Sequence, residues 1–248
     1  MRSKALLFGI NYERHEEARL RGCVNDVKNM SQYLSDKGKY DKISVYTDEY
    51  SDKRVTGNFI ISKLYKLAID SHRYNLERVW IHFSGHGCSM KDNNGDEIDK
   101  KDECILPVDY ETKGVITDDL IRRIFRYFNK NTKVICIFDC CHSGSIGDLK
   151  YEYETEDTIK RINYKSRCSA DITMISGCMD SQTSADAYNV QGKYQFSGAM
   201  TSCLLLSLCK ENIIDVYENL KRLLKEKGFQ QQPLLSSSYK LNKEIRMI

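Results

Sequence analysis

Short apolar runs bounded by polar turns recur at residues 4–10, 43–47, 79–83, 134–138 and 172–175, the pattern of strands buried on both faces. Between several of them the apolar spacing becomes helical. Val27, Met30 and Leu34 share one face, as do Leu120, Ile121, Ile124, Phe125 and Phe128, and later Val216, Leu220, Leu223 and Leu224. Alternating strand and helix predicts an α/β fold with a mainly parallel sheet sandwiched between helices. Two stretches break the rhythm. Residues 88–101 are polar and acidic, and residues 146–170 are dense in charge and tyrosine without a persistent period; both are expected to be loops. The second separates a larger segment, 1–148, from a smaller one, 171–248, with 149–170 as a linker open to proteolysis.

The length of 248 residues suits a single domain with a sizeable core. Charged residues make up 29% of the chain but the net charge is only +3, which disfavours a nucleic-acid partner. The longest apolar runs fall far below the roughly 20 residues that span a bilayer, and the N-terminal one is too short for a secretory signal. A cytoplasmic protein, away from membranes and monomeric, is expected. Its ten cysteines are then free thiols in a reducing compartment. With no CxxC pair among them, a structural zinc site is not expected.

Two strand exits carry chemistry. The strand at 79–83 runs into Ser84-Gly85-His86-Gly87, and the strand at 134–138 into Asp139-Cys140-Cys141-His142-Ser143-Gly144. In open α/β sheets such carboxyl ends gather ligand sites. A histidine beside a cysteine takes the thiol proton and later delivers it to a leaving amine. Glycines at 85, 87 and 144 permit tight turns and close approach of main-chain N–H groups. The N–H groups of Gly87 and Cys141 are the candidate oxyanion hole. The separation of His86 and Cys141 by 55 residues is close to that between the caspase histidine and cysteine.

The chain resembles the metacaspases. The likeness rests on Leu6-Leu7-Phe8-Gly9-Ile10-Asn11-Tyr12, Leu20-Arg21-Gly22-Cys23-Val24-Asn25-Asp26, His82 to Gly87, Gly95-Asp96-Glu97, Pro107-Val108-Asp109, Asp139 to Gly144, Ser176-Gly177-Cys178 and Ser181-Gln182-Thr183-Ser184-Ala185-Asp186. It implies the caspase-like fold with a six-stranded sheet, and a cysteine endopeptidase with Cys141 as nucleophile and His86 as general base. It also implies cleavage after Arg or Lys, with Cys23, Asp26, Ser84 and Asp139 forming the basic-residue pocket. Two carboxylates beside the nucleophile suit that specificity electrostatically. An EF-hand over residues 92–103 fails because Gly95 falls at loop position four. The resemblance instead implies a calcium site, with Ca2+ as activator, at Asp102, Asp118, Asp119 and Asp148. Lys150, Lys160, Arg161, Lys165 and Arg167 are candidate self-cleavage sites, and family members are linked to cell death. The alternative is a catalytically silent caspase-like scaffold in stress response or protein quality control.

Overall fold

A computed structural model describes residues 2–91, 101–141, 146–155, 158–163, 168–178, 186–188, 196–241 and 246–247. The chain opens with β1 (Ser3–Gly9), α1 (Cys23–Asp36), β2 (Lys42–Thr47), α2 (Gly57–Arg73) and β3 (Arg78–Ser84). There follow β4 (Gly87–Lys91), β5 (Lys101–Ile105), α3 (Tyr110–Lys113), β6 (Ile116–Thr117), α4 (Asp118–Phe125) and β7 (Lys133–Asp139). Next come β8 (Tyr151–Tyr153), β9 (Ile159–Ile162), β10 (Asp171–Cys178), β11 (Asp186–Tyr188) and β12 (Phe196–Gly198). The chain finishes with α5 (Ala199–Ser207), α6 (Ile213–Glu226) and β13 (Gln232–Ser237).

Among the described residues, eight strands form one sheet in the order β2-β1-β3-β7-β10-β13-β8-β9. The first five are parallel, and β13, β8 and β9 add antiparallel pairs. The sheet is thus wider than the expected six strands. The extra two, β8 and β9, come from the segment expected to be a loop. Tyr153, only 2% exposed, pulls β8 onto the core, and its hydroxyl accepts from Leu241 N at 2.7 Å. A three-residue strand is too short to show alternation in sequence, although tyrosine favours such a half-buried surface. Of the other expected loop, residues 88–91 lie in β4 and residue 101 in β5, which pair with β6 in a small separate sheet, and residues 92–100 lie outside the described residues.

Both faces of the large sheet are covered. Leu6 and Phe8 of β1 point to one side, with Val79, Ile81 and Phe83 of β3, and pack with Ile60, Leu64 and Leu67 of α2 and Ile121, Ile124 and Phe125 of α4. Ala5 and Leu7 point to the other side, with Trp80, Ile135 and Ile137, and meet α1, α5 and α6 through Val27, Met30, Cys203, Leu204, Val216 and Leu220. Alternate strand residues therefore feed two cores. Each fully buried Leu or Ile contributes about 1.5–3 kcal/mol.

The chain leaves β1 for β2 on one side and returns to β3 on the other, so the connections diverge between β1 and β3. Their carboxyl ends, with that of β7, frame the crevice such a reversal creates. His82 lies fully buried in β3 just beneath it. Burial pushes its imidazole down to about 3 from 6.5, so the folded chain holds it neutral while the unfolded chain protonates it below pH 6.5. Stability from this residue is complete above pH 6.5 and is lost as pH falls toward 3, at up to ~1.4 kcal/mol per pH unit. Denaturant unfolding of wild type and His82→Gln across that window should show the steeper acid loss in wild type; equal slopes would contradict a buried neutral His82.

Candidate active site

Ser84 and Asp139 are direct partners across β3 and β7, and both are buried. The first turns of α1 and α5 close over them. Asp26, fully buried in α1, accepts from Ser84 Oγ at 2.7 Å and from Gly198 N at 2.8 Å. Asp139 Oδ2 accepts from Thr201 N at 2.9 Å and Thr201 Oγ1 at 2.7 Å, an amide near the α5 N-terminus where negative charge is favoured. With its proton committed to Asp139, the Thr201 hydroxyl accepts from His82 Nε2 at 3.3 Å. A Cβ at Gly198 would stand 2.5 Å from Asp139 Oδ2 and 2.7 Å from Asp26 Oδ2. The two carboxylates therefore flank one bare glycine. A cationic side chain is the ligand such a pair favours. Cys23 starts α1 but packs, 2% exposed, in the core cluster that includes Tyr12. The structure thus brings Asp26, Ser84 and Asp139 together.

His86 is held from three directions. The Tyr12 hydroxyl accepts from His86 N at 2.9 Å and donates to the Leu106 carbonyl at 2.6 Å; burial raises the phenol's pKa far above its usual value, which keeps that proton in place. The two rings lie 4.7 Å apart. His86 Nε2 stands 2.7 Å from the Ala18 carbonyl oxygen. A carbonyl can only accept, so Nε2 carries the hydrogen and Nδ1 of the neutral ring is the basic nitrogen.

The cysteine loop meets the histidine loop through the backbone. A Cβ on Gly87 would lie 2.1 Å from the Cys141 carbonyl oxygen and 3.2 Å from that of Cys104, a space that only glycine leaves open. Gly85 N donates to Asp139 O at 3.3 Å and Leu106 N to His86 O at 3.0 Å. Of the adjacent cysteines, Cys140 is 1% exposed and packed in the core, whereas Cys141 is partly exposed. The reachable thiol is Cys141. Gly87 and Cys141, the candidate oxyanion donors, meet through this backbone contact.

The four remaining aspartates sit farther along these loops. Thr117 caps α4, its Oγ1 accepting from Leu120 N at 3.4 Å. Asp118 accepts from the Glu103 and Asp119 amides at 3.0 and 2.7 Å. Asp102 is buried in β5. Asp148 follows Gly147 in a left-handed turn, with φ of 46° and 87°, in the loop after Cys141. Arg122 of α4 donates to Asp148 at 2.8 Å and pairs with Asp119. Among the described residues, no group of three or more acidic, histidine or cysteine side chains converges as a metal site would require. The Arg122 guanidinium answers Asp119 and Asp148 in this arrangement.

Lys150 is half-buried and Lys160 exposed; Lys160 and Arg161 lie in β9, paired to β8, so cutting there requires the edge strand to detach. Lys165, Arg167, Gly144, Gly95-Asp96-Glu97 and residues 181–185 lie outside the described residues. Sequence reasoning did not assign Ala18, Gly198, Thr201 or Arg122. Gly198 before an apolar helix was a usable signal; a main-chain carbonyl such as that of Ala18 leaves none.

Residues 3–150 match the family model described as metacaspase, peptidase C14 domain. The chain is 36% identical to metacaspase-2 of Trypanosoma brucei brucei over 95% of its length and 73% of the relative's. It is 34% identical to metacaspase-1 of Meyerozyma guilliermondii over 100% and 72%. Among solved structures, a Geobacter sulfurreducens protein is similar with a TM-score of 0.69 at 21% identity, covering 98% of this chain and 96% of that one. Caspase-1 of Spodoptera frugiperda is similar with a TM-score of 0.60 at 10% identity, over 96% and 88%; both likenesses show the fold. No helix among the described residues is long and apolar enough to cross a membrane.

The Gly87–Cys141 contact makes one substitution decisive. Gly87→Ala forces the two loops apart and should slow alkylation of Cys141 by iodoacetamide about tenfold or more, with circular dichroism unchanged. An unchanged rate would mean that thiol reactivity does not depend on this contact.

Proposed function

Because this chain belongs to the metacaspase family of cysteine-type peptidases, we propose that it cuts peptide bonds after Arg or Lys, with Cys141 and His86 as the dyad. The observation that carries the specificity is the pair of buried carboxylates, Asp26 and Asp139, on either side of Gly198. Asp139 ends β7 two residues before Cys141 and Asp26 accepts from Ser84 at the end of β3, which supports an anchor for a basic side chain beside the reacting thiol. An acidic side chain would be repelled by the same pair.

The chemistry follows from the hydrogen bonds. With Nε2–H directed at the Ala18 carbonyl, His86 Nδ1 takes the Cys141 proton. The thiolate attacks the scissile carbonyl, and the Gly87 and Cys141 N–H groups receive the charge that develops on its oxygen. His86 then protonates the leaving amine. Water, deprotonated by the same nitrogen, releases the acyl group and restores the thiol. A reducing, cytosolic setting and action as a monomer suit this thiol chemistry. Lys150 and Lys160 offer sites at which one copy could cut another, at the cost of opening β8–β9.

Calcium enters this reading as a competitor of Arg122, whose ion pairs with Asp119 and Asp148 cross-link α4 to the loop after Cys141. Removing the guanidinium in Arg122→Gln should tighten calcium binding, measured by titration calorimetry, by about tenfold. Equal affinity in the two proteins would contradict the competition.

Fluorogenic peptides with Arg or Lys before the scissile bond should be cleaved at least ~10³-fold faster than the Asp counterpart. Cys141→Ala should abolish turnover and Cys140→Ala should retain it; the reverse would move the nucleophile by one residue. Asp26→Ala leaves Ser84 and Gly198 N without their acceptor and should lower kcat/KM on Arg peptides by about 10²-fold, while Cys141 still reacts normally with iodoacetamide. Equal losses in both assays would remove Asp26 from the specificity pocket, and no turnover of any peptide would favour the silent scaffold.

A further inference from the structure

Two thiols that this chemistry does not use face each other across the hairpin next to His86. Cys88 of β4 is the direct antiparallel partner of Cys104 of β5, and Cys104 Sγ donates to the Asp102 carbonyl at 3.7 Å. Cys88 is partly exposed and Cys104 fully buried. Directly opposite residues in an antiparallel pair hold their Cβ atoms about 4.5–5.5 Å apart, and a disulfide requires about 3.5–4.5 Å. A closure of roughly one ångström therefore joins the two sulfurs without changing the register. Three other thiols lie elsewhere: Cys136 and Cys203 sit in strand and helix cores on opposite faces of the large sheet, and Cys209 is exposed beyond α5.

We propose that Cys88 and Cys104 form a peroxide-oxidisable dithiol that closes to a cross-strand disulfide. Cys88, the thiol a small oxidant can reach, attacks one oxygen of the peroxide as its thiolate. The O–O bond breaks, the departing hydroxide takes up a proton as water, and Cys88 is left as a sulfenic acid. Cys104 Sγ then attacks that sulfur. The S–S bond forms, the S–O bond breaks, and the departing hydroxide leaves as a second water with the Cys104 proton. Two thiols have lost two electrons and the peroxide has been reduced to two waters. A thiol or dithiol reductant reverses the linkage by exchange at the exposed Cys88 sulfur. The linkage falls one register position from the pair Gly87 and Ile105, so oxidation staples the strand that carries the candidate oxyanion donor.

The test uses the full chain carrying Cys141→Ala, so that the proposed nucleophile takes no part. After treatment with a small excess of hydrogen peroxide and capping with N-ethylmaleimide, non-reducing digestion and mass spectrometry should find a peptide linked through Cys88 and Cys104, two hydrogens lighter than the sum of its parts. Dithiothreitol should release it, and the oxidised protein should melt at a higher temperature than the reduced one. Cys104→Ala should stop at a Cys88 sulfenic acid that dimedone traps. Cys88→Ser, at the more exposed position, provides a folded control in which neither product forms. Sulfinic acid on Cys88 with Cys104 intact, a link from Cys88 to any other cysteine, or the absence of any reaction at Cys88 would each overturn the proposal.

Discussion

The close approach of two strand exits is the constraint on which the rest of this molecule depends. Parallel pairing of β3 with β7 runs in register to Ser84 and Asp139, and just beyond it Gly87 and Cys141 come so close that a single methyl group would collide with a carbonyl. Hydrogen-bonded neighbours extend that fit outward. Tyr12, at the end of β1, supports His86 from below, and Ala18 fixes which imidazole nitrogen is basic. Because the parts are tied through main chain and short buried bonds, His86 and Cys141 stand on a rigid base rather than on independent loops.

Electrostatics add a second layer to the same crevice. Asp26 and Asp139 are removed from water and supplied with hydroxyl and amide donors, which stabilises buried carboxylates. Farther out, the carboxylates of Asp119 and Asp148 have met a guanidinium supplied by the chain itself. One acidic pair thus flanks Gly198 and the other is tied by Arg122 of α4. The contrast follows from where Arg122 stands, three residues after Asp119 on the same helix face.

Much of this was legible in the residues. The inner parallel strands show as apolar runs because both their faces are buried, and α1, α4 and α6 show as amphipathic spacing for the opposite reason. What escaped detection lacks those signals. The helix α5 buries Met200, Thr201, Ser202, Cys203 and Leu204 alike, so no polar face marks it. In β13, Pro233 and the run of serines disguise an inner strand. Pro233 is tolerated because β8 pairs only with residues 235–237, and Ser238 is satisfied by Ala170 O and Ile172 N. Similarly, His86 and Cys141 announce themselves through flanking glycines, and Asp26 and Asp139 through the motifs around them. Thr201 lies 62 residues from the carboxylate it serves, a partnership only the fold creates. Arg122 reads in sequence as an ordinary exposed helix cation, and its role appears only when Asp148 is brought to it.

The central claim, that one crevice joins a reactive Cys141 to a cation-binding carboxylate pair, is tested most directly by covalent labelling. Two peptidyl acyloxymethyl ketones, identical except for arginine or its neutral isostere citrulline at the residue next to the warhead, would be reacted with the protein and the adduct located by mass spectrometry. The account predicts a single adduct on Cys141 that forms at least ~10²-fold faster with arginine, the difference a buried charge pair supplies. Equal rates for the two reagents, or an adduct on Cys140, would contradict it.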